Sequence, residues 1–182
     1  MRKLKYLHSA FAAAAMALPC AAVTLPIGAA IAQQMQRLSF TVPAQDATYT
    51  EQHIINVPDP PGHQIRVIEI HRIFPSNPPV LNGVALKELW VRAITDYVNE
   101  NGRGSTYSEY VFENGDKFFA QATLVAHGTG SGMLQANTIG EITRGTGKLA
   151  GIEGHIFTTT FARPIAGNVE TSFEIDYALK KD

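Results

Sequence analysis

Apolar and polar side chains alternate with a period of two residues through most of the chain after residue 50. In the last such segment, Val169–Leu179, mainly apolar side chains fall on one face and mainly polar ones on the other. Turn residues separate the segments, and Asn114-Gly115 is a strong hairpin signal because both residues tolerate positive φ. The pattern predicts β-strands that each pack one face in a core.

Eight segments with this pattern are predicted as strands. They cover His53–Val57, Gln64–Phe74, Leu86–Val98, Ser105–Glu113, Lys117–His127, Gln135–Thr143, Glu153–Ala162 and Val169–Leu179. Leu38–Val42 is either a further early strand or an extended arm, and Pro75–Gly83, which holds three prolines, is predicted as a loop. Val84–Val98 competes as a helix, but its β-branched and aromatic residues favour a strand.

Eight antiparallel strands joined by tight turns predict an all-β fold, an eight-stranded up-and-down β-barrel of calycin-like form. Closure of a barrel removes exposed strand edges. A two-sheet sandwich is the alternative, because strand spacing alone does not separate the two architectures. A barrel of this size is either filled by its own side chains or leaves room for one small ligand.

The N-terminus has a different composition from the rest of the chain. Its basic residues are Arg2, Lys3 and Lys5. An uncharged, mostly aliphatic stretch follows, Leu7–Ala32, and it ends in the small-x-small sequence Ala30-Ile31-Ala32. This arrangement is typical of a secretory signal peptide cleaved before Gln33. We therefore predict a signal helix at residues 1–32 and a barrel domain at residues 33–182, in a periplasmic or secreted bacterial protein.

A retained membrane anchor is the alternative for this segment, because Leu7–Ala32 exceeds the roughly 20 residues that span a bilayer. Pro19, Pro26 and Gly28 interrupt a continuous helix and weaken that alternative. Lipoprotein processing at Cys20 is disfavoured, because the preceding residue is Pro19 rather than the usual glycine or alanine.

Removal of residues 1–32 from the 182 residues leaves 150, with 12 Lys+Arg against 16 Asp+Glu and a formal charge of −4. The single cysteine, Cys20, leaves with the signal. This excludes a thiol nucleophile, a cysteine-ligated zinc and a disulfide framework in the mature protein. Without a basic surplus, the chain lacks the electrostatic signature of a nucleic-acid binder. No membrane association is predicted after cleavage.

Ionisable side chains interleaved with aromatic and aliphatic ones suit a lumen that orients a small ligand. The candidate pocket residues, chosen in the middle of predicted strands, are Glu69, His71, Trp90, Arg92 and Glu109. A carboxyl group in an apolar barrel would have its ionised form destabilised and could donate a proton. The alternative for each residue is a solvated outer face, which is the commoner position for charged side chains.

Motifs for metal, nucleotide and hydrolase chemistry are missing from the mature sequence. Its histidines form neither a His-x-His nor a His-Glu-x-x-His pair, so no metal site is predicted. Gly128–Gly132 lacks dinucleotide-binding spacing and is predicted as a tight turn or bulge. Ser131 lacks the flanking glycines of a nucleophile elbow.

One stretch carries a family resemblance. The segment Gly145–Gly154 reads Gly-Thr-Gly-Lys-Leu-Ala-Gly-Ile-Glu-Gly. It resembles the glycine-rich signature of the dirigent proteins and is similar to the wider allene oxide cyclase-like barrel superfamily, over about 25 residues within Asn137–Phe161. The glycines are expected to turn the chain between two strands, with Leu149 and Ile152 plugging the barrel end.

The resemblance implies an eight-stranded antiparallel barrel, often trimeric, with a largely apolar lumen and no cofactor. Dirigent proteins steer radical coupling or cyclisation, and allene oxide cyclases fold a reactive epoxide into a ring. Their pocket acids and arginines match no motif in this sequence, so no catalytic residue is carried over. Two hypotheses follow. The first is a cofactor-independent, isomerase-like barrel that steers a small hydrophobic intermediate. The second is a non-catalytic, lipocalin-like barrel that binds a ligand or a partner protein.

Overall fold

The computed structural model describes residues 34–180, so the predicted signal segment and its cleavage site lie outside the described residues. The described part is built from ten β-strands and three short 3₁₀ turns. The strands are β1 (Gln36–Val42), β2 (Ala47–Val57), β3 (His63–Ile73), β4 (Val80–Leu81), β5 (Val84–Val98), β6 (Asn101–Phe112), β7 (Lys117–Gly130), β8 (Met133–Gly145), β9 (Ile152–Arg163) and β10 (Asn168–Leu179). Within residues 34–180, no helix is long and apolar enough to cross a membrane.

The strands form a single antiparallel sheet in the order β1-β10-β9-β8-β7-β6-β5-β3-β2. Its two edge strands are consecutive in the chain, joined through the 3₁₀ turn Ala44–Asp46, and both β2 and this turn pack against β10. The sheet therefore curls round until its edges meet, which gives a barrel. The predicted all-β barrel is confirmed, and the two-sheet sandwich is excluded.

All eight predicted strands are present, and two more are added. The early segment is strand β1, which pairs with β10. Inside the predicted loop Pro75–Gly83, the two residues of β4 pair with the start of β5. The turn between them is Asn82-Gly83, with φ of 49° and 79°. It is a second Asn-Gly hairpin signal, partly hidden by the prolines that precede it.

The predicted turns are also found. The hairpin turn at Asn114-Gly115 is present, with positive φ (83°) at Gly115 but not at Asn114. The register of β7 against β8 shifts between Gly128 and Gly130, so this glycine-rich segment is a bulge followed by a turn at Ser131-Gly132. The prediction of a turn or bulge is confirmed here.

Inward-facing side chains of the strands form the core. At the end that carries the β6–β7 and β8–β9 connections, large apolar side chains are packed solid, including Phe112, Phe118 and Leu149. Leu149 and Ile152 of the glycine-rich segment are 3% and 2% exposed, so both are buried as expected. The opposite end carries the β2–β3, β5–β6, β7–β8 and β9–β10 connections.

Candidate functional site

A cavity lies in the middle of the barrel and holds about 80 Å³ of space that water-molecule centres can occupy. Because one water needs about 10–15 Å³ on this measure, there is room for several waters or for a slender small molecule. Its walls combine aliphatic side chains such as Ile68, Ile70 and Val91 with the hydroxyls of several threonines and tyrosines.

The cavity opens toward a wider mouth of about 460 Å³ at the end that carries the β2–β3 and β9–β10 connections. The two spaces share Arg66, Tyr97, Leu134 and Pro164 as lining residues. Ile165, on the rim, is 96% exposed. The barrel is therefore packed solid at one end and accessible at the other.

Strand β3 places two arginines in this interior. Arg66 and Arg72 are six residues apart, an even number, so the alternation of a strand puts both on the lumen face. Ile68 and Ile70 lie between them on the same face. A rise of about 3.3 Å per residue separates the two arginine Cα atoms by roughly 20 Å along the strand. One guanidinium therefore starts near the mouth and the other deep in the barrel.

The deeper residue, Arg72, is 3% exposed. Its Nη2 donates a hydrogen bond of 3.0 Å to Thr171 Oγ1, and its guanidinium carbon lies 5.6 Å from the ring centre of Phe173. Its Nε and Nη1 have no hydrogen-bond partner among residues 34–180. Burial lowers the pKa of the Arg72 guanidinium to about 10, so the group stays protonated at neutral pH.

Arg66 is 7% exposed and sits where the lumen meets the mouth. Its Nη2 donates a hydrogen bond of 2.7 Å to Gln52 Oε1, while its Nε has no partner in the described part of the chain. Neither Arg66 nor Arg72 forms an ion pair within residues 34–180, and no carboxylate lines the cavity there. The lumen therefore carries positive charge that no acidic side chain neutralises.

Three tyrosines complete the polar lining, and burial raises the pKa of each. The pKa of Tyr97 rises to about 12, and the pKa values of Tyr49 and Tyr110 also rise. The nearby arginines oppose the shift without reversing it. The three phenols are thus neutral hydrogen-bonding groups at neutral pH. The Tyr110 hydroxyl and the Thr95 hydroxyl lack a partner among the described residues.

The five candidate residues lie elsewhere. The structure places Glu69, His71, Trp90, Arg92 and Glu109 on the outer face of β3, β5 and β6, opposite the lumen lining. The expected lumen position is therefore corrected. The physical reason is the pleat, because each candidate alternates with a neighbour that is buried inside the barrel.

The outer-face candidates do contact one another. Arg92 Nε lies 2.8 Å from Glu69 Oε2, and Arg92 Nη1 lies 3.6 Å from Glu109 Oε2. The His71 ring stacks on Trp90 at 3.9 Å between ring centres. Cross-strand pairing explains the cluster, because directly paired side chains share one face of a sheet. The sequence thus located a real group of neighbours but assigned it to the wrong side.

Sequence reasoning did not identify the two lumen arginines. On β3 the lumen set Arg66, Ile68, Ile70 and Arg72 is no more apolar than the outer set, which includes Val67 and is partly exposed. The available signal was on β5, where the apolar face is unambiguous. Directly paired residues of neighbouring strands lie on the same face of the sheet. Because Leu89 pairs with Arg72 and Thr95 pairs with Arg66, the apolar face of β5 identifies the lumen face of β3.

Metal chemistry finds no support in the described residues, since no group of three or more His, Cys, Asp or Glu side chains there could hold an ion.

Comparison with known proteins gives one structural likeness. No protein-family model matches the chain, and no curated protein matches it. A solved structure, titled as that of the pterocarpan synthase dirigent protein GePTS1, is similar with 13% sequence identity and a TM-score of 0.46, covering 81% of this chain and 90% of that one. A likeness at this level assigns neither a ligand nor an activity to this chain.

Proposed function

We propose that this protein is an exported barrel that binds a small hydrophobic molecule in its lumen. The observation that carries the proposal is the cavity itself, closed by packed side chains at one end and open at the other. A concave, mainly apolar space with a few polar groups is the common form of a small-molecule site. A small β-barrel can hold one small ligand in its interior without any change in fold.

Steering of a reactive intermediate, as the family resemblance implies, would use the same site. The lumen lining within residues 34–180 has no carboxylate and no histidine. Such a role would therefore depend on confinement of the ligand's shape, on the tyrosine and threonine hydroxyls, and on the arginine charge. Binding without catalysis, as in lipocalins, needs only the cavity. Lumen binding is therefore the common element of both hypotheses and the first to test.

The test uses 1-hexanol as an uncharged and slender probe. It is titrated into the protein in the form that the cell produces from the full chain, and calorimetry measures the binding. We expect saturable binding at one site per chain. Ala136→Leu fills the lumen, because Ala136 lines the cavity and is 5% exposed. The matched control is Ile139→Leu on the outer face of the same strand, where Ile139 is 61% exposed.

Ala136→Leu should abolish binding and Ile139→Leu should leave it unchanged, with circular dichroism confirming that both variants keep the strand content of the parent. Equal binding by all three proteins would contradict a lumen site. Absence of binding to the parent would contradict the proposed function. Native mass spectrometry of the purified protein would also reveal a co-purified ligand and the number of chains per assembly.

Export is the second part of the proposal, supported by the basic start, the uncharged segment and the Ala-x-Ala sequence at its end. The expected outcome is a protein outside the cytoplasm whose first residue is Gln33. Intact-mass measurement and N-terminal sequencing of the fractionated protein test it. A protein that retains residues 1–32 would overturn the cleavage prediction.

A further inference from the structure

The lumen confines a positive charge for which residues 34–180 supply no acidic counter-charge. Arg72 is 3% exposed and receives support from one neutral hydroxyl, that of Thr171. Thr171 also exchanges a hydrogen bond of 3.0 Å with Thr160, so its hydroxyl is shared. A buried charge without a partner is costly, and proteins ordinarily pair such groups. A buried cation beside a ligand cavity thus indicates a ligand that supplies the anion.

We propose that the lumen selects small hydrophobic molecules that carry a carboxylate, with the carboxylate bound at Arg72 and the apolar body extending toward the mouth. This inference rests on the proposed lumen binding and specifies the class of ligand. Between Arg72 and the mouth the walls include the aliphatic side chains of Ile68, Ile70 and Val91, alongside threonine and serine hydroxyls. The order of groups along the cavity therefore matches an amphipathic acid whose carboxylate enters first and whose apolar tail stays nearer the mouth.

A single negative charge fits this site better than a phosphate dianion. Among residues 34–180 only one guanidinium lies at depth, and its neighbours include Phe173 and the neutral phenols of Tyr49 and Tyr110. The hydroxyl of Tyr110 lacks a partner within the described residues, so it is available as one further donor. One cation and one neutral hydroxyl suit a carboxylate, which accepts hydrogen bonds on two oxygens.

Arg66 is expected to act differently because it lies at the junction with the mouth and already donates to Gln52. Glu100 also lines the mouth, and its carboxylate opposes the attraction of Arg66 for an anion. Arg66 is therefore expected to contribute less than Arg72 to the binding of the ligand's carboxylate.

The test compares hexanoate with 1-hexanol at neutral pH, where hexanoate is ionised, using the full chain and calorimetry. Hexanoate should bind at least roughly tenfold more tightly than 1-hexanol, since hydrogen bonds between charged groups in a dry site are the strong ones. Arg72→Met should remove this preference, so that the variant binds hexanoate no more tightly than it binds 1-hexanol. Arg72→Lys, which keeps the charge and loses the planar fork, should retain part of it.

Two controls fix the position of the anion. Arg66→Met should reduce hexanoate affinity less than Arg72→Met, and Arg92→Met on the outer face should leave it unchanged. Equal binding of hexanoate and 1-hexanol to the parent would overturn the carboxylate inference while the lumen site stands. Failure of both probes to bind would instead overturn the proposed function. A larger loss for Arg66→Met than for Arg72→Met would move the anion to the mouth.

Discussion

Arg72 Nη2 donates a hydrogen bond of 3.0 Å to Thr171 Oγ1, and this bond links β3 to β10 inside the barrel. The two strands are not neighbours in the sheet order, and they approach each other only where the two edges of the sheet meet. The contact therefore depends on closure of the barrel. It also leaves a buried guanidinium with a neutral partner, so at Arg72 the stability of the ligand-free protein and the proposed ligand binding make opposite demands.

Arg72→Met is expected to raise the free energy of unfolding of the ligand-free protein by about 1–3 kcal/mol. Methionine has similar length and no charge or unpaired donors to desolvate. Thr171 keeps its hydrogen bond to Thr160 in the variant. Urea denaturation measures the change. The control Arg92→Met removes two partly exposed ion pairs, with Glu69 and Glu109, and should cost about 1 kcal/mol or less. A marked loss of stability in Arg72→Met would mean that the arginine serves chiefly as a structural bridge.

Substitution of the outer cluster is expected to leave lumen binding unaffected. Glu109→Gln removes the ion pairs of Glu109 with Arg92 and Lys117, at 3.6 and 2.7 Å, but all three side chains lie outside the lumen lining. The affinity for hexanoate should therefore change by less than about twofold, as usual for remote surface positions. Calorimetric titration of hexanoate into Glu109→Gln and into the parent measures the two affinities. A large loss of affinity in the variant would mean that the outer cluster is part of the binding site.

Stability should fall as the pH rises through the pKa of His63. His63 Nε2 lies 2.6 Å from Asp96 Oδ1, and its Nδ1 lies 3.3 Å from the Asp59 carbonyl oxygen. Both hydrogen bonds raise the pKa of His63, and the hydrogen bond to Asp96 contributes most. A raised folded-state pKa stabilises the protein fully below the unfolded value of about 6.5, and the contribution is lost at higher pH.

Urea midpoints measured between pH about 6 and about 8 should decline for the parent, over the range in which histidines titrate. His63→Gln should show a flatter profile, because glutamine has no proton to lose. Asp96→Asn provides the matched variant, since it removes the charge that favours the protonated ring. An equally steep decline in both variants would assign the pH dependence to another group.

Gly145→Ala is expected to destabilise the fold by roughly 3 kcal/mol, at the upper end of overpacking costs. A Cβ at Gly145 would lie 1.9 Å from the Leu149 carbonyl oxygen and 2.7 Å from Ile152 Cγ2, so backbone must move. The control is Gly83→Ala, with φ of 79° and no atom within 4 Å of the added Cβ, where the cost is conformational strain of about 1–2 kcal/mol. Thermal and urea unfolding of the two variants should rank them in that order, and the reverse order would refute the packing role of the glycine-rich segment.

Much of the architecture follows from local signals. The alternation in Val169–Leu179 and the Asn114-Gly115 turn predict strands and a hairpin that the structure contains. These signals are local because side chains alternate along a strand and because a tight turn needs positive φ at specific residues. The short strand Val80–Leu81 escaped prediction, since nearby prolines obscured its Asn82-Gly83 turn.

The location of the site did not follow from the same signals. On β3 both faces carry aliphatic residues, and the arginines Arg66 and Arg72 by themselves indicate a solvent-facing side. Only the pairing of Arg72 with Leu89, and of Glu69 with Arg92, decides which face turns inward. A charged residue is commonly exposed, so its burial is a property of the closed barrel rather than of the local sequence.

The sequence by itself therefore determined most of the strands, their turns and the all-β class, because backbone geometry and alternating hydrophobicity act over a few residues. The tertiary structure decided that the sheet closes into a barrel rather than a sandwich and which side of β3 faces the lumen. It also decided that two guanidinium groups share this lumen with no carboxylate from residues 34–180. Those facts depend on strand register and barrel closure, which bring together residues as distant in sequence as Arg72 and Thr171.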